Sequence, residues 1–146
     1  MSTFIDFLAA QSRAPEIAPD APLDAALARL DRMLAELAAE LEVEYYGPEV
    51  GIAAGRHVYR LVVRRHTWRI HAPGWSLKIC TALPHAGWRA DWPVQGAGRL
   101  RQRAVVRALP AFFAGYREAV RAAGRADSPA GRRVAELAAR FGADDR

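Results

Sequence analysis

Six leucines, at positions 23, 27, 30, 34, 37 and 41, stand alternately four and three residues apart. At 3.6 residues per turn they fall on one stripe. "PLDAALARLDRMLAELAAELE", residues 22–42, therefore predicts a helix with a continuous apolar seam. The seam lasts less than three heptads, too short to sustain a coiled coil alone. Such a helix needs an apolar surface to lie on, and the residues after it supply one.

Beyond residue 42 the period changes from 3.6 to 2. In "EVEYYG", Val43 and Tyr45 alternate with Glu42 and Glu44. "HVYRLVVRRH", 57–66, sets Tyr59, Leu61 and Val63 against Val58, Arg60, Val62 and Arg64. "TWRIH" pairs Trp68 with Ile70 and leaves Arg69 and His71 opposite, after a reversal or bulge near His66. "WSLKICT" groups Trp75, Leu77 and Ile79 against Ser76, Lys78 and Cys80. "APG" at 72–74 and "LPHAG" at 83–87 are turn signals, and "WRADWP" reads as a short edge strand ended by Pro93. Alternating strands between turns predict an antiparallel meander of about four strands with one buried face.

Helices resume after "QGAG". One is predicted over 99–109, and Pro110 either kinks it or opens a new helix carrying Leu109, Phe112, Phe113, Tyr116 and Val120 on one face. The last helix has Ser128 as N-cap, Pro129 at its first position and Gly142 at its end. The expected fold class is α+β: a meander of about four strands, a long N-terminal helix, and two to three C-terminal helices packed on one face. Ahead of this domain, 22–146, lies an arm, 1–21. It combines a short helix bearing Phe4, Ile5, Phe7 and Leu8 with the proline-rich "APEIAPDAP", which favours an extended chain. The helix either folds onto its own core or serves as a docking peptide or swapped arm.

Charge is segregated along the chain. Residues 1–50 carry a net −7, residues 51–110 a net +10 and residues 111–146 a net +2, giving +5 in all. The cations are 20 arginines and one lysine, a bias that codon usage alone can produce, although it does not dictate where they sit. On the predicted strands Arg60, Arg64, Arg69 and Lys78 share the face opposite the core. Arg99, Arg103 and Arg107 recur every four residues and line one helix face. Together they predict a basic sheet surface adjoining a basic helix edge. The competing reading is internal, with Glu42 and Glu44 pairing across the sheet with Arg60 and Arg64.

Chemistry of other kinds finds little support. His57, His66, His71, Cys80 and His85 lack the tight ligand spacing of a zinc site, so no metal and no cofactor are expected. Cys80 is predicted on a strand, away from anything that would activate a thiol, and no serine lies in a nucleophile elbow. "WPVQGAGRLRQR" could present helix N–H groups to a phosphate, but it has only two of the three glycines of a dinucleotide loop. No catalytic residue is assigned. An enzymatic or small-molecule role would need a pocket between the sheet and Phe112, Phe113 and Tyr116, with His66, His71, His85 and Asp91 at hand.

No apolar run approaches the roughly 20 residues of a membrane span. Asp6 stands where a secretory signal would carry cations, so a cytoplasmic location is expected, in keeping with a single cysteine. The sequence thus predicts a non-enzymatic binding protein. Its basic surface would engage an acidic protein or a second copy of the chain, with nucleic acid as the alternative partner.

Overall fold

The computed structural model describes residues 3–50, 58–66, 74–83 and 87–142. Its class is α+β with an antiparallel sheet, as the switch of period predicts. In chain order the elements are α1 (Thr3–Arg13), α2 (Leu23–Leu41), β1 (Tyr45–Glu49), β2 (Val58–His66), β3 (Gly74–Leu83), β4 (Gly87–Pro93), α3 (Arg99–Ala122) and α4 (Pro129–Phe141). The strands form one sheet in the order β1-β2-β3-β4, each antiparallel to its neighbour.

The leucine seam of α2 packs inward. Leu23, Leu27, Leu30, Leu34 and Leu41 are buried, and Leu37 is partly buried against the same core. They meet Tyr59, Leu61, Val63, Leu77 and Ile79 from one face of the sheet, together with Val105, Leu109, Phe112, Phe113, Tyr116 and Val120 of α3. Each such side chain contributes roughly 1.5–3 kcal/mol on burial. This explains how α3 continues through Pro110 as one helix. The ring removes one helix hydrogen bond, which costs about 3 kcal/mol, but Val106, Leu109, Phe112 and Phe113 beside it are all fully buried.

Two glycines let α3 cross close to β1. A Cβ on Gly47 would stand 2.6 Å from the Leu61 carbonyl oxygen and 2.9 Å from Phe112, and one on Gly115 would collide with the Tyr45 hydroxyl. Into the space so left, Tyr45 stacks on Tyr116 at 5.8 Å and lies 5.5 Å from Phe112. Burial pushes the Tyr116 phenol up to about 12.

The register of β1 differs from the expected pairing. Glu42 is not in a strand. It caps α2 in a left-handed conformation, φ 54°, and its N–H donates to the Ala38 carbonyl. Glu44 accepts from the Arg65 backbone N–H at 3.2 Å. Arg60 instead lies opposite Glu49, 3.8 Å from its carboxylate, and donates to the Gly47 carbonyl at 2.9 Å. The left-handed turn at Glu42 uses up residues that the alternating pattern assigns to the strand. Pairing therefore starts at Tyr45 with Val63, and an irregularity follows between Tyr46 and Glu49.

The reversal or bulge expected near His66 falls at the edge of the described residues. β2 stays paired with β3 without a break from Val58 with Ala82 to His66 with Gly74. The predicted strand "TWRIH" lies outside the described residues.

Candidate functional site

The cations singled out by the sequence fall into two groups, on opposite sides of the helix–sheet layers. The first lies on β2 and β3. Alternation turns Tyr59, Leu61, Val63, Leu77 and Ile79 to the core, which leaves Arg60, Arg64, Ser76 and Lys78 on the far face. There Lys78 pairs with Val62, directly between Arg60 and Arg64. Each arginine is thus a diagonal neighbour of Lys78, about 7–8 Å away between backbones. All three are partly exposed. The Arg64 guanidinium lies 5.9 Å from the ring centre of Tyr46, itself 37% exposed, so the patch combines cations with an accessible aromatic. Val62 and Cys80 lie on this face too and are fully buried, which alternation alone does not foresee. Arg69 lies outside the described residues.

The second group, on α3, is engaged by the chain itself. Arg99 donates to the carbonyls of Ala18, Pro19 and Ala21. Arg107 donates to those of Ser12, Ala14 and Pro15. Arg103, one turn from each, has its Nε buried without an acceptor. The cause is the proline-rich segment. An extended chain with no regular partner leaves its carbonyls unsatisfied, and guanidinium groups eight residues apart on a helix reach successive stretches of it. Ile17 and Ala21 are buried beneath, at 6% exposure each. Among the described residues, Arg99 and Arg107 are thus engaged by residues 12–21 and do not form an open basic helix edge.

The glycine loop before α3 is likewise filled from within. Gly96, at φ 76°, donates its N–H to Asp24 Oδ1 at 2.7 Å, and Gln102 donates to the same oxygen at 2.6 Å. The Gly96 N–H and then the Gln102 amide hold the Asp24 carboxyl below its ordinary value, against a smaller opposing effect of burial. The anion at this loop is the protein's own carboxylate.

The arm residues are also placed. Ile5 and Leu8 are buried in the common core, so a docking role would require them to leave it. Phe4 and Phe7 are half-buried beside a shallow groove of about 330 Å³, and the Arg29 guanidinium lies 4.8 Å from the centre of the Phe4 ring.

Phe112, Phe113 and Tyr116, named for the enzymatic alternative, are fully buried and pack on one another, with centroids 5.2 Å and 5.7 Å apart. His57, His71 and His85 fall outside the described residues, as do the side chains of His66 and Asp91. Among the described residues no three metal-ligating side chains converge, and no helix is long and apolar enough to cross a membrane.

Comparison of the chain with family models, curated proteins and solved structures found no significant match. The functional reading therefore rests on the two arginine groups and the surfaces around them.

Proposed function

We propose that the protein is a non-enzymatic binding module that engages an acidic protein through the sheet face bearing Arg60, Arg64 and Lys78. The observation that carries this reading is the triangle of cations in register around Val62, on the face turned from the helical core. Like charges placed as near neighbours on a sheet are mutually unfavourable. A carboxylate-bearing partner relieves that repulsion and is steered toward it. Arg60 already has a carboxylate at hand in Glu49, so Arg64, with Lys78 as its diagonal neighbour, is the residue assigned first to the partner.

Fluorescence anisotropy with a labelled polyglutamate peptide, alongside a labelled single-stranded oligonucleotide, tests the reading at low and moderate salt. Saturable, salt-sensitive binding of polyglutamate is expected, weakened about tenfold or more by Arg64→Glu with Lys78→Glu. The charge-matched control Arg117→Glu with Arg125→Glu, on exposed residues, should change it little. Equal loss in both variants reduces the effect to net charge and overturns the assignment of the surface. Tight oligonucleotide binding with no polyglutamate binding overturns the acidic protein in favour of nucleic acid.

A further inference from the structure

Strand β4 is too short to cover β3. Its last pair is Pro93 with Lys78, so Gly74–Leu77 run on without it, and Oδ1 of Asp31 accepts the Leu77 N–H at 2.8 Å. Between this overhang and the C-terminal half of α2 lies a cleft of about 550 Å³, lined by Ala35, Glu36, Ala39, Glu42, Arg65 and Trp75. The volume is that of a small-molecule site. Ala35 and Ala39, one turn apart, keep the helix wall low. Trp75, half-buried against the core, forms an aromatic wall opposite.

The electrostatics of these walls select the ligand. α2 has no cation in its last turn, and Glu36, Glu40 and the C-cap Glu42 stand at the negative end of its dipole. That arrangement disfavours the helix. Glu42 is also the one described non-glycine residue with positive φ, a conformation costing about 1 kcal/mol or more. Among the described residues no hydrogen bond or ion pair reaches the carboxylate of Glu36 or Glu42. Arg65 offsets one of these two charges, so the described lining of the cleft stays net negative. A lining of this charge with an indole wall fits an organic cation, held by charge and by the face of the ring. We infer that the cleft binds a small organic cation, its ammonium group held by Glu36 and Glu42 and its apolar part lying against Trp75. This site is separate from the basic sheet face and stands whether or not that face binds an acidic partner.

Benzylamine is the probe and benzoate its anionic counterpart. The readout is the indole N–H resonance of Trp75 in the full chain, assigned by its disappearance in Trp75→Phe. Benzylamine should shift it saturably, with a Kd on the order of millimolar. Glu36→Gln with Glu42→Gln should weaken the binding about tenfold, and benzoate should leave the resonance in place. Both glutamates are exposed, and removing their charge relieves the end of α2. The double variant should therefore melt no lower than the parent, so lost binding would not reflect lost folding. The proposal is overturned by the absence of a saturable shift, by equal affinity in the double variant, by an equal response to benzoate, or by a lower melting temperature of the double variant.

Discussion

Arginines on α3 and arginines on the sheet look alike in the sequence, yet the fold uses them in opposite ways. Arg99 and Arg107 donate six hydrogen bonds to carbonyls of residues 12–21 and tie the arm to the domain. Arg64 and Lys78 sit on a regular ladder whose backbone groups already have partners, on the face turned from the core. What separates the two groups is the backbone beside them. An irregular proline-rich chain draws guanidinium donors to itself, whereas a strand does so where its ladder is interrupted, as Gly47 does with Arg60.

The largest effect expected from this contrast comes from cutting the α3 clamps. Arg99→Ala with Arg107→Ala should cost about 3 kcal/mol, taking about 0.5 kcal/mol, the low end for a hydrogen bond, for each of six mostly exposed bonds. Thermal denaturation should register it as a fall of roughly 6–12 °C. Limited proteolysis should in parallel begin to cut within residues 14–21. An unchanged melting temperature would show that the clamps are incidental and would return these arginines to the pool of partner-binding residues.

A smaller effect is expected at the anion that the protein supplies to its own glycine loop. Asp24→Asn should cost about 1 kcal/mol near neutral pH, the value of a charge-assisted bond discounted for exposure. Its pKa is lowered in the folded state from 3.8. The contribution is therefore present above the unfolded value and is lost as the pH falls through the folded one. Stability curves of parent and variant should converge on the acid side below the folded pKa, and a constant gap across pH would contradict the assignment.

Smaller again is Arg60→Ala, which removes the bond to the Gly47 carbonyl and a half-exposed ion pair with Glu49. Urea titration should show a loss of about 1 kcal/mol or less. The smallest effect on stability is expected for Arg64→Glu, within about 0.5 kcal/mol of the parent. A loss as large as that of the clamp variant would make the sheet cations structural and erase the distinction between the two regions.

Much of the fold can be read in the sequence because it rests on local rules. The seam of α2 packs where its spacing places it. Ser128 accepts from the Gly131 N–H, with Pro129 opening α4 and Gly142 closing it. Tyr59, Leu61, Val63, Leu77 and Ile79 are buried as their alternation indicates. What could not be read there depends on contacts distant in the chain. Arg99 and Arg107 reach carbonyls 78 to 95 residues away, and a backbone acceptor leaves no mark on residue type. The partners of Arg60 shifted because Glu42, with no glycine to signal it, adopts the left-handed turn that ends α2. The cleft beside Trp75 exists because β4 stops at the Pro93–Lys78 pair. Pro93 marks that stop in the sequence, but which β3 residues it leaves uncovered is a matter of register.

The central claim is that the sheet face, and not the α3 stripe, meets an anionic partner. The most direct test follows the backbone amide resonances of the full chain as a polyglutamate peptide is added. The account predicts that shifts gather at Tyr46, Arg60, Arg64, Ser76 and Lys78 and leave residues 12–21 and 99–107 in place. Shifts concentrated on Arg99, Arg103, Arg107 and the segment they hold would contradict it, placing the binding surface on the helix and making the arm its gate.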